Sequence, residues 1–145
     1  MNLHITFDDD LAKPYLERGK SPLAYMHWDF DGLAYPAMDW MDFAAIVLSW
    51  WLVKSRNLIL GSCAEEFPFM DGPFSILANA DGENLVLRFR GNDVVISVGM
   101  RPFVESIVAA SELLSQEMRN RQIADAQSLA VGVADVTSAL NGAKS

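Results

Sequence analysis

Apolar and polar residues alternate from Met1 to Phe7, with Leu3, Ile5 and Phe7 on one side and His4 and Thr6 on the other. That period of two predicts a short strand. The triplet Asp8-Asp9-Asp10 stops it. Residues 11–24 carry Pro14, Gly19 and Pro22 and read as a loop or a single helical turn. Ala24 to Phe30 reads as a second strand, set off by Pro22 before it and Asp31-Gly32 after it. Tyr35-Pro36 continues an irregular stretch.

From about residue 39 the pattern turns helical. Asp39 is a natural N-cap, and Asp42 falls in the first turn, where a carboxylate meets the positive end of a helix. The helix reaches about Leu58, and Lys54, Arg56, Asn57 and Gly61 supply the charges and the breaker of a C-terminus. Phe43 to Val53 is an apolar run of eleven residues broken only by Ser49. A helix apolar nearly all round is covered on more than one side, and Phe43, Ile46, Val47 and Trp50 are its expected core positions. A membrane span needs roughly 20 such residues, so this is a buried helix instead.

A meander follows: a strand from Pro73 to Asn79, a turn at Asp81-Gly82, a strand from Asn84 to Arg90, a turn at Gly91-Asn92, and a strand from Asp93 to Val98. Leu85, Leu87 and Phe89 share one face of the middle strand, with Val86, Arg88 and Arg90 on the other. One face is dry and one partly wet, as in an antiparallel sheet covered by helices on one side. Pro102 opens a second helix to about Gln122, striped by Phe103, Ile107, Ala110, Leu114 and Met118 at steps of three and four. Residues 123–145 are rich in Ala, Ser and Val and only weakly helical, with Gly132 and Gly142 against a helix. The order describes one α+β domain over residues 1–145: an antiparallel sheet of about three to five strands packed by two main helices, about 39–58 and 102–122.

Composition narrows the function classes. The chain has 145 residues, 51% of them apolar and 21% charged, a globular balance that excludes bulk disorder. Nineteen acids against eleven bases leave a net charge of −8, which argues against a nucleic-acid-binding domain. The single cysteine, Cys63, excludes an internal disulfide and fits a reducing compartment. The opening MNLHITFDDD lacks the basic start and apolar stretch of a signal peptide. A cytoplasmic protein with no membrane segment is expected. Its charge is uneven, because residues 1–42 hold eight acids and three bases, a net of −5. Such an excess either keeps the protein soluble or steers a basic partner.

Catalytic chemistry is not visible. The sequence has no phosphate-binding glycine loop, no nucleophile elbow and no paired Cys or His spacing for zinc. Adjacent residues of an extended chain point in opposite directions, so Asp8, Asp9 and Asp10 do not converge on one ion. His27, in His27-Trp28-Asp29-Phe30-Asp31, has acids nearby that could favour its charged form or a ligand, but on an aromatic strand it reads as a packed structural residue. Cys63 carries no family signature and reads as a small buried hydrophobe. No enzyme activity, catalytic residue, cofactor or metal is expected. Trp50 and Trp51 are neighbours about 100° apart on a helix, so both cannot face one neighbour and one reaches a groove or a partner.

The stretches Asp39-Trp40-Met41-Asp42-Phe43-Ala44-Ala45-Ile46-Val47-Leu48-Ser49-Trp50-Trp51 and Phe67-Pro68-Phe69-Met70-Asp71-Gly72-Pro73-Phe74-Ser75-Ile76 resemble those of small immunity proteins. These are the antidotes encoded beside bacterial polymorphic toxins, contact-dependent growth inhibition toxins among them. The resemblance is one of pattern over roughly residues 28–118. It implies a cytoplasmic protein that binds the C-terminal domain of one cognate toxin and blocks it, with no catalytic residues to carry over. Many such toxins are basic nucleases, and an acidic inhibitor suits them. Asp8, Asp9, Asp10, Asp29 and Asp31, with Trp51, are the expected partner-binding residues. The wet side of the meander around Arg88 and Arg90 is the alternative face. A small acidic interaction or regulatory module without a toxin partner, and a ligand-binding domain, are the alternative functions.

Overall fold

Alternation builds the first sheet. In a computed structural model that describes residues 1–143, strand β1 (Asn2–Thr6) pairs antiparallel with strand β2 (Ala24–Phe30), His4 opposite His27. Ala24, Met26, Trp28 and Phe30 point into the core, while Tyr25, His27 and Asp29 lie on the half-exposed face. Asp31 and Gly32 both take positive φ, 52° and 96°, the backbone of a two-residue hairpin turn. Strand β3 (Leu33–Tyr35) returns along β2, and a two-residue strand β4 (Met41–Asp42) pairs with its start.

Three local expectations change here. The acid triplet begins a helix: the Asp8 carboxylate accepts the Leu11 N–H at 3.0 Å and caps helix α1 (Asp9–Leu16), which replaces the expected loop or single turn. Tyr35 is in a strand, not an irregular stretch. Helix α2 (Ala44–Ile59) begins five residues after Asp39, because Asp42 belongs to β4 and points into the interior.

The buried face of α2 is Ala44, Ala45, Val47, Leu48, Trp51, Leu52, Ser55 and Leu58. Of the four expected core positions only Val47 is fully buried. Phe43 and Ile46 are half-buried and Trp50 is exposed, since the covered face is rotated toward Leu48 and Trp51.

The second sheet is the expected meander with one more strand. Strands β5 (Ala64–Pro68), β6 (Ser75–Asp81), β7 (Asn84–Phe89) and β8 (Val95–Gly99) pair antiparallel in chain order. Leu85, Leu87 and Phe89 face the core, as their alternation predicts. Helix α3 (Met100–Asn120) buries Phe103, Ile107, Ala110, Leu114 and Met118, the whole expected stripe. Helix α4 (Ala126–Ala143) occupies the tail expected to be only weakly helical, apart from residues 144 and 145, which lie outside the described residues. Its stripe is Ala126, Leu129, Val133, Val136 and Leu140.

The architecture is α+β, with two four-stranded antiparallel sheets and four helices among the described residues, in place of one sheet and two main helices. Aromatic stacking ties these layers together. The Trp28 ring of the first sheet stacks on Phe103 of α3 at 4.9 Å and on Trp51 of α2 at 6.1 Å. Phe67 of the second sheet meets the same Phe103 edge-on at 5.2 Å.

Candidate functional site

Three loops come together in one cluster, and a buried carboxylate joins two of them. Asp42 is fully buried. Its Oδ1 accepts the Phe43 N–H at 2.8 Å, and its Oδ2 accepts the N–H groups of Met70 and Asp71 at 3.1 and 3.2 Å and the Trp40 indole N–H at 3.1 Å. Four donors satisfy a charge that would otherwise be too costly to bury. The start of α2 is thereby joined to the loop between β5 and β6.

Aromatic rings complete the join. Trp40 meets Phe74 edge-on at 5.2 Å and Phe69 at 6.2 Å. Gly72 lies under the Trp40 ring: a Cβ there would come within 3.2 Å of it, and φ is +79°, so this loop needs glycine on both counts. The buried Tyr35 hydroxyl accepts the Ser75 N–H at 3.0 Å and lies 2.9 Å from the Ser75 carbonyl and 2.7 Å from the Arg90 carbonyl. That draws the β7–β8 turn into the same cluster. Burial pushes the Tyr35 phenol above its ordinary pKa, which keeps its proton on for these carbonyls.

The rim of this platform is mixed apolar and acidic. On these loops Met38 is 77% exposed, and Met70, Asp39, Asp71, Pro73 and Asp93 are exposed as well. Among the described residues Asp39, Asp71 and Asp93 make no ion pair. Exposed methionines can make adaptable apolar contacts, and the carboxylates can pair with basic groups.

The expected partner-binding residues lie elsewhere and do not form one patch. Asp29 sits opposite Asn2, whereas Asp8 to Asp10 follow Thr6, so roughly 13 Å of β-ladder separates the two groups. Asp8 is committed to its helix cap, and the Asp29 carboxylate accepts the Gly32 N–H at 2.8 Å. Asp9 is bidentate to Arg121, at 2.6 and 3.1 Å, and the hydrogen bonds from Arg121 hold its pKa below the usual carboxylate range. Asp10 is exposed, and Asp31 is exposed 3.8 Å from the N-terminal amine.

Trp51 is 0% exposed and donates its indole N–H to the Pro68 carbonyl at 2.8 Å, so it cannot contact a partner. The exposed member of the pair is Trp50, at 39%. Sequence periodicity cannot tell which of two adjacent indoles faces inward when the helix is apolar on every side. Arg88 and Arg90 are exposed on the wet side of the meander, and Cys63 is exposed, not buried.

Sequence reasoning missed Asp42 as the keystone. The available signal was an acid directly before an apolar run, which helix capping also explained. His4 and His27 stack at 4.8 Å on the outer face of the first sheet. Partial burial, and then the neighbouring His4, lower the His27 pKa against the opposing pull of Asp29.

Among the described residues no group of three or more His, Cys, Asp or Glu side chains is placed to hold a metal ion. No helix there is long and apolar enough to cross a membrane. Compared with protein-family models, curated proteins and solved structures, the chain matches none of them.

Proposed function

We propose that this chain is an immunity protein that binds the C-terminal domain of a cognate toxin in the cytoplasm and neutralises it. The supporting observation is where the two stretches that resemble immunity proteins meet. Asp42, in the first stretch, accepts the N–H groups of Met70 and Asp71, in the second, and their joint product is the rigid Met- and Asp-rimmed platform. The net charge of −8 speeds encounter with a basic toxin domain, and the platform supplies the contact. Asp10 and Asp31 belong to the long-range field.

Co-expression with the toxin domain encoded beside the gene tests this reading. Wild-type protein is expected to co-purify with that domain and to restore growth. An Asp39→Asn/Asp71→Asn protein is expected to associate more slowly, with a shallower dependence on salt. A folded wild-type protein that neither binds nor protects would leave the alternative, a small acidic interaction module without a toxin.

A further inference from the structure

Helices α2 and α4 run parallel, with Ile46 and Trp50 of α2 beside Ser128 of α4 and Asp125, the residue just before α4, at one end. At the other end Leu60 lies beside Ala139 and Gly142. They approach closely because Gly132 has no side chain: a Cβ there would lie 3.0 Å from Leu52 Cδ1. Three open clefts of about 220, 380 and 590 Å³ therefore follow one another along the outer seam. Beside them Val53 is 60% and Leu60 61% exposed, and Trp50 and Val131 are exposed as well. Polar residues normally cover the outer faces of such helices. Arg56 and Asp135 share two of the clefts, yet among the described residues neither makes an ion pair.

We propose that this α2/α4 face joins two copies of the chain about a twofold axis near Val53. A twofold interface must be self-complementary, and this face has the pattern. Arg56 lies three residues to one side of Val53, and Trp50 three residues to the other, with Asp125 about one turn further on. An antiparallel twofold packing lays the Arg56 guanidinium of one copy over the Trp50 ring of the other and within reach of that copy's Asp125. Val53 meets its own equivalent at the axis.

The area suffices. Two helices of 16 and 18 residues side by side present a face of roughly 25 by 20 Å. Covering it on both copies removes on the order of 1,000–1,500 Å² from water, which reaches the size of a specific interface. Repulsion between two acidic chains acts at long range and is screened beyond about 8 Å at physiological ionic strength. This association is independent of the toxin reading.

Sedimentation equilibrium from about one to several hundred micromolar, at physiological salt, tests it. The expected result is a monomer–dimer equilibrium. Val53→Glu, at a site exposed in the monomer, should weaken it at least tenfold with unchanged circular dichroism, and Leu113→Glu, on the exposed side of α3, should leave it intact. Val53→Cys in a Cys63→Ser background should cross-link the two copies on oxidation, because the axis brings the two side chains together. A monomer at every concentration overturns the proposal, as does equal weakening by Val53→Glu and Leu113→Glu. A monomer whose toxin binding is lost on Val53→Glu also overturns it, and assigns the seam to the toxin.

Discussion

The carboxylate of Asp42 accepts the backbone N–H of Met70 across 28 positions of chain, at 3.1 Å and out of contact with water. The residue that sequence reasoning assigns to a helix terminus instead secures a distant loop. Asp42→Ala would deprive the part-buried donors of Phe43, Met70, Asp71 and Trp40 of their shared acceptor. A loss of about 3–5 kcal/mol is expected, read as a shift in the denaturant midpoint. Asp42→Asn keeps one acceptor and should lose less. An unchanged midpoint in the alanine protein would remove Asp42 from its role.

The adjacent tryptophans should separate cleanly. Trp51→Ala opens a large cavity and leaves the Pro68 carbonyl without its donor, so about 3–5 kcal/mol is expected. Trp50→Ala, measured in dilute solution, should change stability by about 0.5 kcal/mol or less. Equal losses would place both rings in the core.

Tyr35→Phe removes one oxygen from the platform. The buried Ser75 N–H loses its acceptor and the Ser75 and Arg90 carbonyls lose their donor, so a destabilisation of about 1–3 kcal/mol is expected. Amide exchange at Ser75 should accelerate together with it. Unaltered exchange would show that the N–H finds another partner.

The histidine pair makes stability depend on pH. The folded state holds the His27 pKa below its ordinary 6.5, so the unfolded chain takes up a proton first as pH falls. Stability is therefore full above that value, declines as pH drops through it, and stays reduced below the folded pKa. Thermal midpoints from pH 7.5 to 5.5 should fall less for His27→Gln than for wild type. Identical slopes would assign the dependence to other groups.

Gly132→Val should overpack the seam between α2 and α4. The added methyls meet Leu52, itself buried, and about 1–3 kcal/mol of destabilisation is expected despite the removal of a helical glycine. A Gly132→Val protein as stable as wild type would mean that the helices can part without loss.

The elements that periodicity placed well are those whose partner lies on one side. β2, β7 and α3 each present a single covered face, so alternation at two or a stripe at three and four residues identifies their buried positions, as with Met26 and Trp28, Leu85 and Leu87, or Ile107 and Leu114. Charge balance and the single cysteine are properties of the chain alone and need no fold to read. Where several partners compete for one residue, tertiary structure decided. Helix α2 is apolar nearly all round, and only the positions of Trp28, Phe67 and Phe69 turn Trp51 inward and leave Trp50 outside. Strand β5 is Ala-Glu-Glu-Phe-Pro, with little intrinsic signal, and exists because β6 offers it an edge. Helix α4 was obscured by Gly132, a poor helix residue that the close approach of Leu52 requires. Asp42 suits a helix N-terminus by local chemistry and a buried keystone by long-range chemistry. Four donors from two parts of the chain outweigh one helix end, and their convergence is a property of the folded molecule only.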